Sequence, residues 1–220
     1  MLTAVVVLGS LAAQAGTVTL TFEGLQNNEQ VLNYYNGGFG GNGSGPGPNY
    51  GITFGTDSLA SISQAAGGSG NFDGAPSMPT TLYFLSGSGD IMNVPAGFTT
   101  GFSLFYSSPF STGSATVYSG LDGTGSVLQT LTLPSTPNGT TNGPPCSGAF
   151  AYCPWVPTGV AFRGTAYSVE FSVAPNSTAF DNVTLGSSTP TPAVPEPGTL
   201  VTFGSGALGL AGLLRRKFLA

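Results

Sequence analysis

Residues 17–22 read TVTLTF, so that Val18, Leu20 and Phe22 alternate with Thr17, Thr19 and Thr21. Apolar side chains on one face and hydroxyls on the other, at a period of two, describe a half-buried antiparallel strand. Similar short runs recur down the chain: YGITF (50–54), SLASIS (58–63), TLYFL (81–85), TGFSLFYSS (100–108), SATVYSG (114–120), SVLQTLTL (126–133), TGVAFRG (158–164), AYSVEFSV (166–173) and TAFDNVTLG (178–186). Gly, Pro and Asn separate them, and no segment between Gly16 and Gly186 shows a helical period. The number and spacing of the runs predict an all-β chain folded as a two-sheet antiparallel sandwich.

Composition narrows what such a sandwich can do. Of 220 residues only 6% are charged, with Lys+Arg 4 against Asp+Glu 9, and there is no histidine. Three of the cations, Arg215, Arg216 and Lys217, are adjacent near the end, which leaves Arg163 alone in the rest of the chain. Binding nucleic acid requires clustered Lys and Arg to neutralise phosphates, so that partner is excluded. Without histidine, Ser-His-Asp and Cys-His triads and ordinary zinc sites cannot be built. The Gly-rich stretches GFGGNG and GSGPG precede neither a Lys nor a helix start, which argues against a phosphate-cradling loop.

Cys146 and Cys153, in PPCSGAFAYCP (144–154), are the only cysteines. In an exported chain two cysteines this close favour a local disulfide staple. The Gly- and Asn-rich stretch 36–51 is too poor in apolar residues to pack and is expected to be a mobile surface loop.

Both ends of the chain carry export signals. Leu2 to Leu11 is an apolar run, and Ala13-Gln14-Ala15 is an A-x-A site that predicts cleavage before Gly16. No basic residue precedes the run, which points to a start upstream of Met1. At the other end, residues 199–214 contain no ionisable group and as a helix would rise about 24 Å. That is slightly short of a hydrocarbon core of about 30 Å, a gap that snorkelling side chains of the following Arg-Arg-Lys can close. The basic cluster keeps the tail cytoplasmic and the remainder outside. The expected organisation is a signal peptide (1–15), a β-sandwich domain (16–186), an extended Pro/Thr-rich spacer (187–194) and a C-terminal segment (195–220) with a transmembrane helix (199–214).

Pro195-Glu196-Pro197, followed by the apolar span and by Arg215, Arg216 and Lys217, resembles the sorting signal of the PEP-CTERM proteins of bacteria. The resemblance implies retention in the inner membrane, processing near Pro-Glu-Pro by an exosortase-type membrane protease, and delivery to the cell surface or an extracellular polysaccharide matrix. In addition, TFEGL (21–25), VYSGLDGTGSVLQTLTL (117–133) and AFDNVTLG (179–186) resemble the jelly-roll domains that such proteins commonly carry. In similar jelly rolls, carbohydrate-binding modules included, an acidic residue of the first strand and an Asp of the last join backbone carbonyls around a structural calcium ion. The matching positions are Glu23 and Asp181.

Asp181 also stands out on physical grounds. It alternates with Ala179, Val183 and Leu185, so its carboxylate is expected to face the core and to need a partner: Ca²⁺, Arg163 or backbone N–H groups at a bulge. The resulting reading is an exported structural protein, not an enzyme. The alternative is a carbohydrate-binding module for extracellular polysaccharide, with Tyr34, Tyr35 and Tyr50 beside the Gly-rich loop and Trp155 beside the cysteine staple as candidate sugar contacts. A glycan-active enzyme is the third reading, because two carboxyl groups about 5–9.5 Å apart suffice for glycoside hydrolysis. The spacing of Glu23, Asp73, Asp90, Glu170 and Asp181 singles out no such pair, and Glu170 falls on a solvated strand face.

Overall fold

The computed structural model describes residues 16–191. Twelve strands form the sandwich: β1 (Val18–Leu20), β2 (Glu29–Gln30), β3 (Thr53–Phe54), β4 (Ser58–Ile62), β5 (Thr80–Phe84), β6 (Gly89–Phe98), β7 (Gly101–Ser107), β8 (Gly113–Tyr118), β9 (Val127–Leu133), β10 (Val156–Ala161), β11 (Ala166–Val173) and β12 (Ala179–Leu185). A seven-stranded sheet runs β10-β7-β12-β5-β4-β2, with β1 also paired to β12, and a five-stranded sheet runs β3-β6-β11-β8-β9. All strand pairs are antiparallel, as the alternating patterns require.

Inward-facing residues of both sheets meet in one core. At its centre Phe84, Phe102 and Phe180 of the seven-stranded sheet surround Phe171 of the five-stranded sheet, with ring centroids 5.8, 6.2 and 5.2 Å from it. These edge-on and tilted contacts add to the large apolar area that each ring removes from water.

Three elements depart from the alternation. β6 is the longest strand, although Pro95 and Gly97 hide it in the sequence; Pro95 lies in an irregular stretch of the β6–β11 ladder between the Asn93–Ser168 and Phe98–Ala166 pairs and is exposed. A missing N–H costs nothing where no ladder bond asks for it. β1 stops at Leu20, short of the expected Phe22, because Phe22 adopts a φ of 64° and donates its N–H to Tyr35 Oη at 2.6 Å. In β12 the register against β7 shifts between Asp181 and Thr184, and Asn182 takes a φ of 46°. This bulge overturns the simple alternation: Phe180, Val183 and Leu185 enter the main core, whereas Ala179 joins a second cluster on the outer face. Asp181 is buried as expected, but on the side of Ala179.

The second cluster lies between the outer face of β12 and two long loops, and it contains Phe72, Ala75, Ala151, Tyr152 and Ala179 with Trp155 packed against it. Cys146 and Cys153 are bridged, with Cα atoms 5.7 Å apart, and hold the loop that delivers Tyr152. Residues 187–191 do not project as a free spacer. Ser103 Oγ donates to the Ser187 carbonyl, Asn182 Nδ2 donates to the Thr191 carbonyl, and Pro190 is buried. Residues 187–191, expected to open an extended spacer, thus pack against the sandwich.

Phe171→Ala should destabilise the fold by about 3–5 kcal/mol, since it removes the ring that joins the sheets. Urea denaturation of this variant beside the parent checks it. Replacing both cysteines by Ser should lower stability by about 2–3 kcal/mol and leave the far-ultraviolet circular dichroism unchanged, as a short-range staple requires.

Candidate functional site

Glu23 follows the first strand, Asp181 lies in the last, and the loop carrying Ser77 closes over both. Ser77 donates its N–H to Asp181 Oδ2 at 2.7 Å and its hydroxyl to Oδ1 at 2.6 Å, and the Asn182 N–H reaches Oδ1 at 2.7 Å. Thr80, three residues beyond Ser77, donates its N–H to Glu23 Oε1 at 2.9 Å. Asp181 thus meets one N–H at the bulge, that of Asn182, together with the N–H and hydroxyl of Ser77 from the loop before β5. Arg163 is exposed next to β10, and the expected alternative of an Asp181–Arg163 pair is not realised.

The electrostatics of the pair follow from burial. Desolvation pushes Asp181 up to about 7, the charge on Glu23 adds to the rise, and the hydrogen bonds from Ser77 and Asn182 offset part of it. Burial also raises Glu23. Ser77 has one hydroxyl proton, yet Asp181 Oδ1, Asn182 Oδ1 at 2.8 Å and the Thr21 carbonyl at 3.4 Å all stand around its oxygen. Acceptors therefore outnumber protons, a surplus that either a proton on Asp181 or a cation would relieve. Among the described residues no group of three or more His, Cys, Asp and Glu gathers. A cation here would rely on two carboxylates supplemented by amide, hydroxyl and carbonyl oxygens, the hard donor set that suits calcium.

The expected sugar contacts are dispersed. Tyr34 and Tyr35 are buried, with the Tyr34 hydroxyl donating to the Glu23 carbonyl at 2.9 Å, so both rings wall the acidic site instead of facing solvent. Tyr50 is 45% exposed and stacks on Tyr35 at 6.2 Å. Trp155 sits elsewhere, edge-on to Phe72, and donates Nε1–H to the Asp73 carbonyl.

Sequence reasoning missed Glu29. Its side chain is fully buried, and its carboxylate accepts N–H groups from Gln26 at 2.7 Å, Asn42 at 2.8 Å and Ser44 at 3.0 Å. Burial alone would raise its pKa, but donors from Ser44, Gln26 and Asn42 outweigh desolvation and hold it below the usual carboxylate range. The Gly-rich stretch 36–51, expected to be mobile, is pinned to β2 by this carboxylate and by the Gly41 N–H, which donates to the Gln30 carbonyl at 2.8 Å, and is closed on itself by the Asn36–Asn49 bridge. Asp90 acts likewise between the sheets: from β6 its Oδ2 accepts the N–H groups of Asp57 and Ser58, the latter in β4. Glu170 accepts the Tyr118 hydroxyl from the neighbouring strand.

The tail residues Pro195, Glu196, Pro197, Arg215, Arg216 and Lys217, together with the apolar spans at both ends, lie outside the described residues. No helix among the described residues is long and apolar enough to cross a membrane. Residues 193–217 match the family model described as the PEP-CTERM protein-sorting motif. The chain carries a PEP-CTERM signal. The PEP-CTERM match covers the tail alone, and no curated protein matches the chain. Among solved structures, the K2 cleaved adhesin domain of Lys-gingipain aligns at 14% identity with a TM-score of 0.50, covering 78% of this chain and 98% of that one. The likeness is one of fold. Two carbohydrate-binding modules align less well: CBM35 from Paenibacillus barcinonensis, at 14% identity and a TM-score of 0.36 over 63% of this chain and 94% of that one, and CBM6cm-2 from Cellvibrio mixtus lichenase 5A, solved with cellotriose, at 13% identity and a TM-score of 0.32 over 59% and 86%.

A pH dependence follows from Asp181. Between its ordinary value of 3.8 and its folded value of about 7, the folded chain holds a proton that the unfolded chain has released. In that window stability falls as pH rises. With EDTA present, the urea midpoint should therefore be higher at pH 5 than at pH 8, and Asp181→Asn should flatten the profile.

Proposed function

We propose that this is an exported bacterial surface or matrix protein, structural and non-catalytic, whose β-sandwich is the passenger of an exosortase-type sorting system. The PEP-CTERM motif at residues 193–217 carries the reading. It begins at residue 193, close in sequence to Thr191, whose carbonyl Asn182 holds, so the described sandwich adjoins in sequence the segment that a membrane protease would process. In this scheme the precursor is held in the inner membrane by residues 199–214, and removal of the tail releases the domain to the surface or to an extracellular polysaccharide matrix.

The non-catalytic reading is supported by the work that the carboxylates already do. Glu29, Asp90 and Asp181 hold loops or strands through N–H donors, and Glu170 is tied to a neighbouring strand. Glu23 and Asp181 would serve as the charged ligands of a structural calcium ion, with Asn182 Oδ1, Ser77 Oγ and the Thr21 carbonyl as neutral oxygens. Its contribution would be to neutralise one buried and one half-buried carboxylate that, among the described residues, no cationic side chain reaches.

Processing is tested by mass spectrometry of the surface-released protein. Peptides from residues 208–220 should be absent from it, and replacing Pro195, Glu196 and Pro197 by Ala should keep the tail attached and the protein in the inner membrane. Recovery of tail peptides from the released parent protein would overturn tail removal. Calcium at about 100 times its dissociation constant should stabilise the domain by roughly 2.7 kcal/mol, read by scanning calorimetry, and EDTA should reverse the shift. A melting temperature indifferent to both would exclude the ion.

A further inference from the structure

We infer that the outer face of the seven-stranded sheet binds a neutral glycan, in a cleft of about 340 Å³ whose lining shares no residue with the acidic site. This goes beyond the sorting reading and does not depend on it. The floor is formed by Ser61, Thr81, Tyr83 and Ala179, which face outward because Ala60, Leu82 and Phe180 occupy the alternate positions in the core. Its volume is at the lower end of the roughly 300–1,000 Å³ typical of small-ligand sites, the size for one or two sugar rings rather than a long chain.

Four observations identify the ligand class. First, Thr81 is completely buried, lines the cleft, and among the described residues its Oγ1 has no hydrogen-bond partner. Buried hydroxyls are nearly always satisfied, so an unpartnered one on a residue that lines a cleft marks a place where a ligand hydroxyl would complete the pairing. Second, three amides surround the opening. Asn28 Oδ1 accepts the Tyr83 hydroxyl at 2.7 Å and Asn71 Oδ1 accepts the Ala151 N–H at 3.1 Å, which turns each Nδ2 away from its anchor. Among the described residues neither of those nitrogens donates a hydrogen bond, nor does that of Asn176.

Third, the rim supplies ring surface. Phe110 is 59% exposed and is held edge-on by Tyr152, with centroids 5.6 Å apart. Tyr152 is fixed in turn by its hydroxyl bond to the Asn176 carbonyl at 2.6 Å. A ring held this way presents apolar surface to the C–H face of a pyranose at little entropic cost. Fourth, among the described residues no charged side chain lines the cleft. A uronate, sulfate or phosphate would enter without a counter-charge, whereas a neutral sugar needs only hydroxyls, amides and a ring. A peptide fits poorly for a different reason. β4 and β5 are interior strands with both edges paired, which leaves no backbone edge for an added strand.

The test is affinity electrophoresis of the full chain, kept in detergent, through gels containing dextran, laminarin, xylan or galactomannan, with alginate as the acidic control. At least one neutral polymer should retard the protein, and alginate should not. Phe110→Ala removes an exposed ring, and Asn176→Gly removes an amide while preserving its left-handed turn, where φ is 49°. Each should weaken retardation by roughly fivefold or more, about the loss of one good contact. Thr81→Val should also weaken it without lowering the melting temperature, because the hydroxyl it removes bonds to nothing among the described residues. No retardation by any neutral polymer, retardation indifferent to Phe110→Ala and Asn176→Gly, or retardation by alginate alone would each overturn the proposal. Normal tail processing alongside failed retardation would remove this site and leave the sorting function standing.

Discussion

The sandwich depends on burying carboxylates without cations. With a single basic residue outside the tail, the chain has almost nothing to form ion pairs with, yet Glu29 and Asp181 are fully buried. Both are met by backbone N–H groups, and Asp181 by a hydroxyl as well. An ionised acceptor bonded to N–H groups makes a strong, short contact and fixes the donor segment in place. Each carboxylate consequently determines a piece of structure that has no apolar reason to be there: Glu29 closes the Gly-rich loop, Asp90 joins β6 to β4, and Asp181 draws the Ser77 loop onto β12. Removing one of them would release a loop as well as a hydrogen bond.

This arrangement explains which features were readable from the sequence. The sandwich was legible because period-two alternation survives in nearly every strand, and the staple because two nearby cysteines in an exported chain have few other uses. β6 was hidden by Pro95 and Gly97, whose cost disappears at an irregular point of the ladder that only the three-dimensional pairing reveals. Asp181 was conspicuous as a charge in an apolar run. Its direction was misread because one residue in the left-handed region, Asn182, resets the alternation.

Glu29 and the cleft were illegible for a common reason. The partners of Glu29 lie in a stretch whose composition describes a loose loop, and nothing in the residues near Asn42 and Ser44 announces a buried anion. The cleft draws on residues from Asn28 to Ala179, most of them small and polar and unremarkable in any local window. The aromatic residues that drew attention in the sequence, Tyr34 and Tyr35, are instead buried walls. Ring content alone does not say which side of a sheet a ring faces.

β12 is last in sequence but interior in its sheet, with β7 along one edge and β5 and β1 along the other. Its first residue, Ala179, lines the cleft, and the docked residues 187–191 lead from its far end towards the tail. A pull applied between the start of β12 and the chain beyond residue 191 would act along this one strand. Because the load is parallel to the strand, the ladders on both edges are sheared together, and their hydrogen bonds resist jointly instead of opening one after another. The order of the strands thus gives the domain mechanical strength against a force applied along its last described strand.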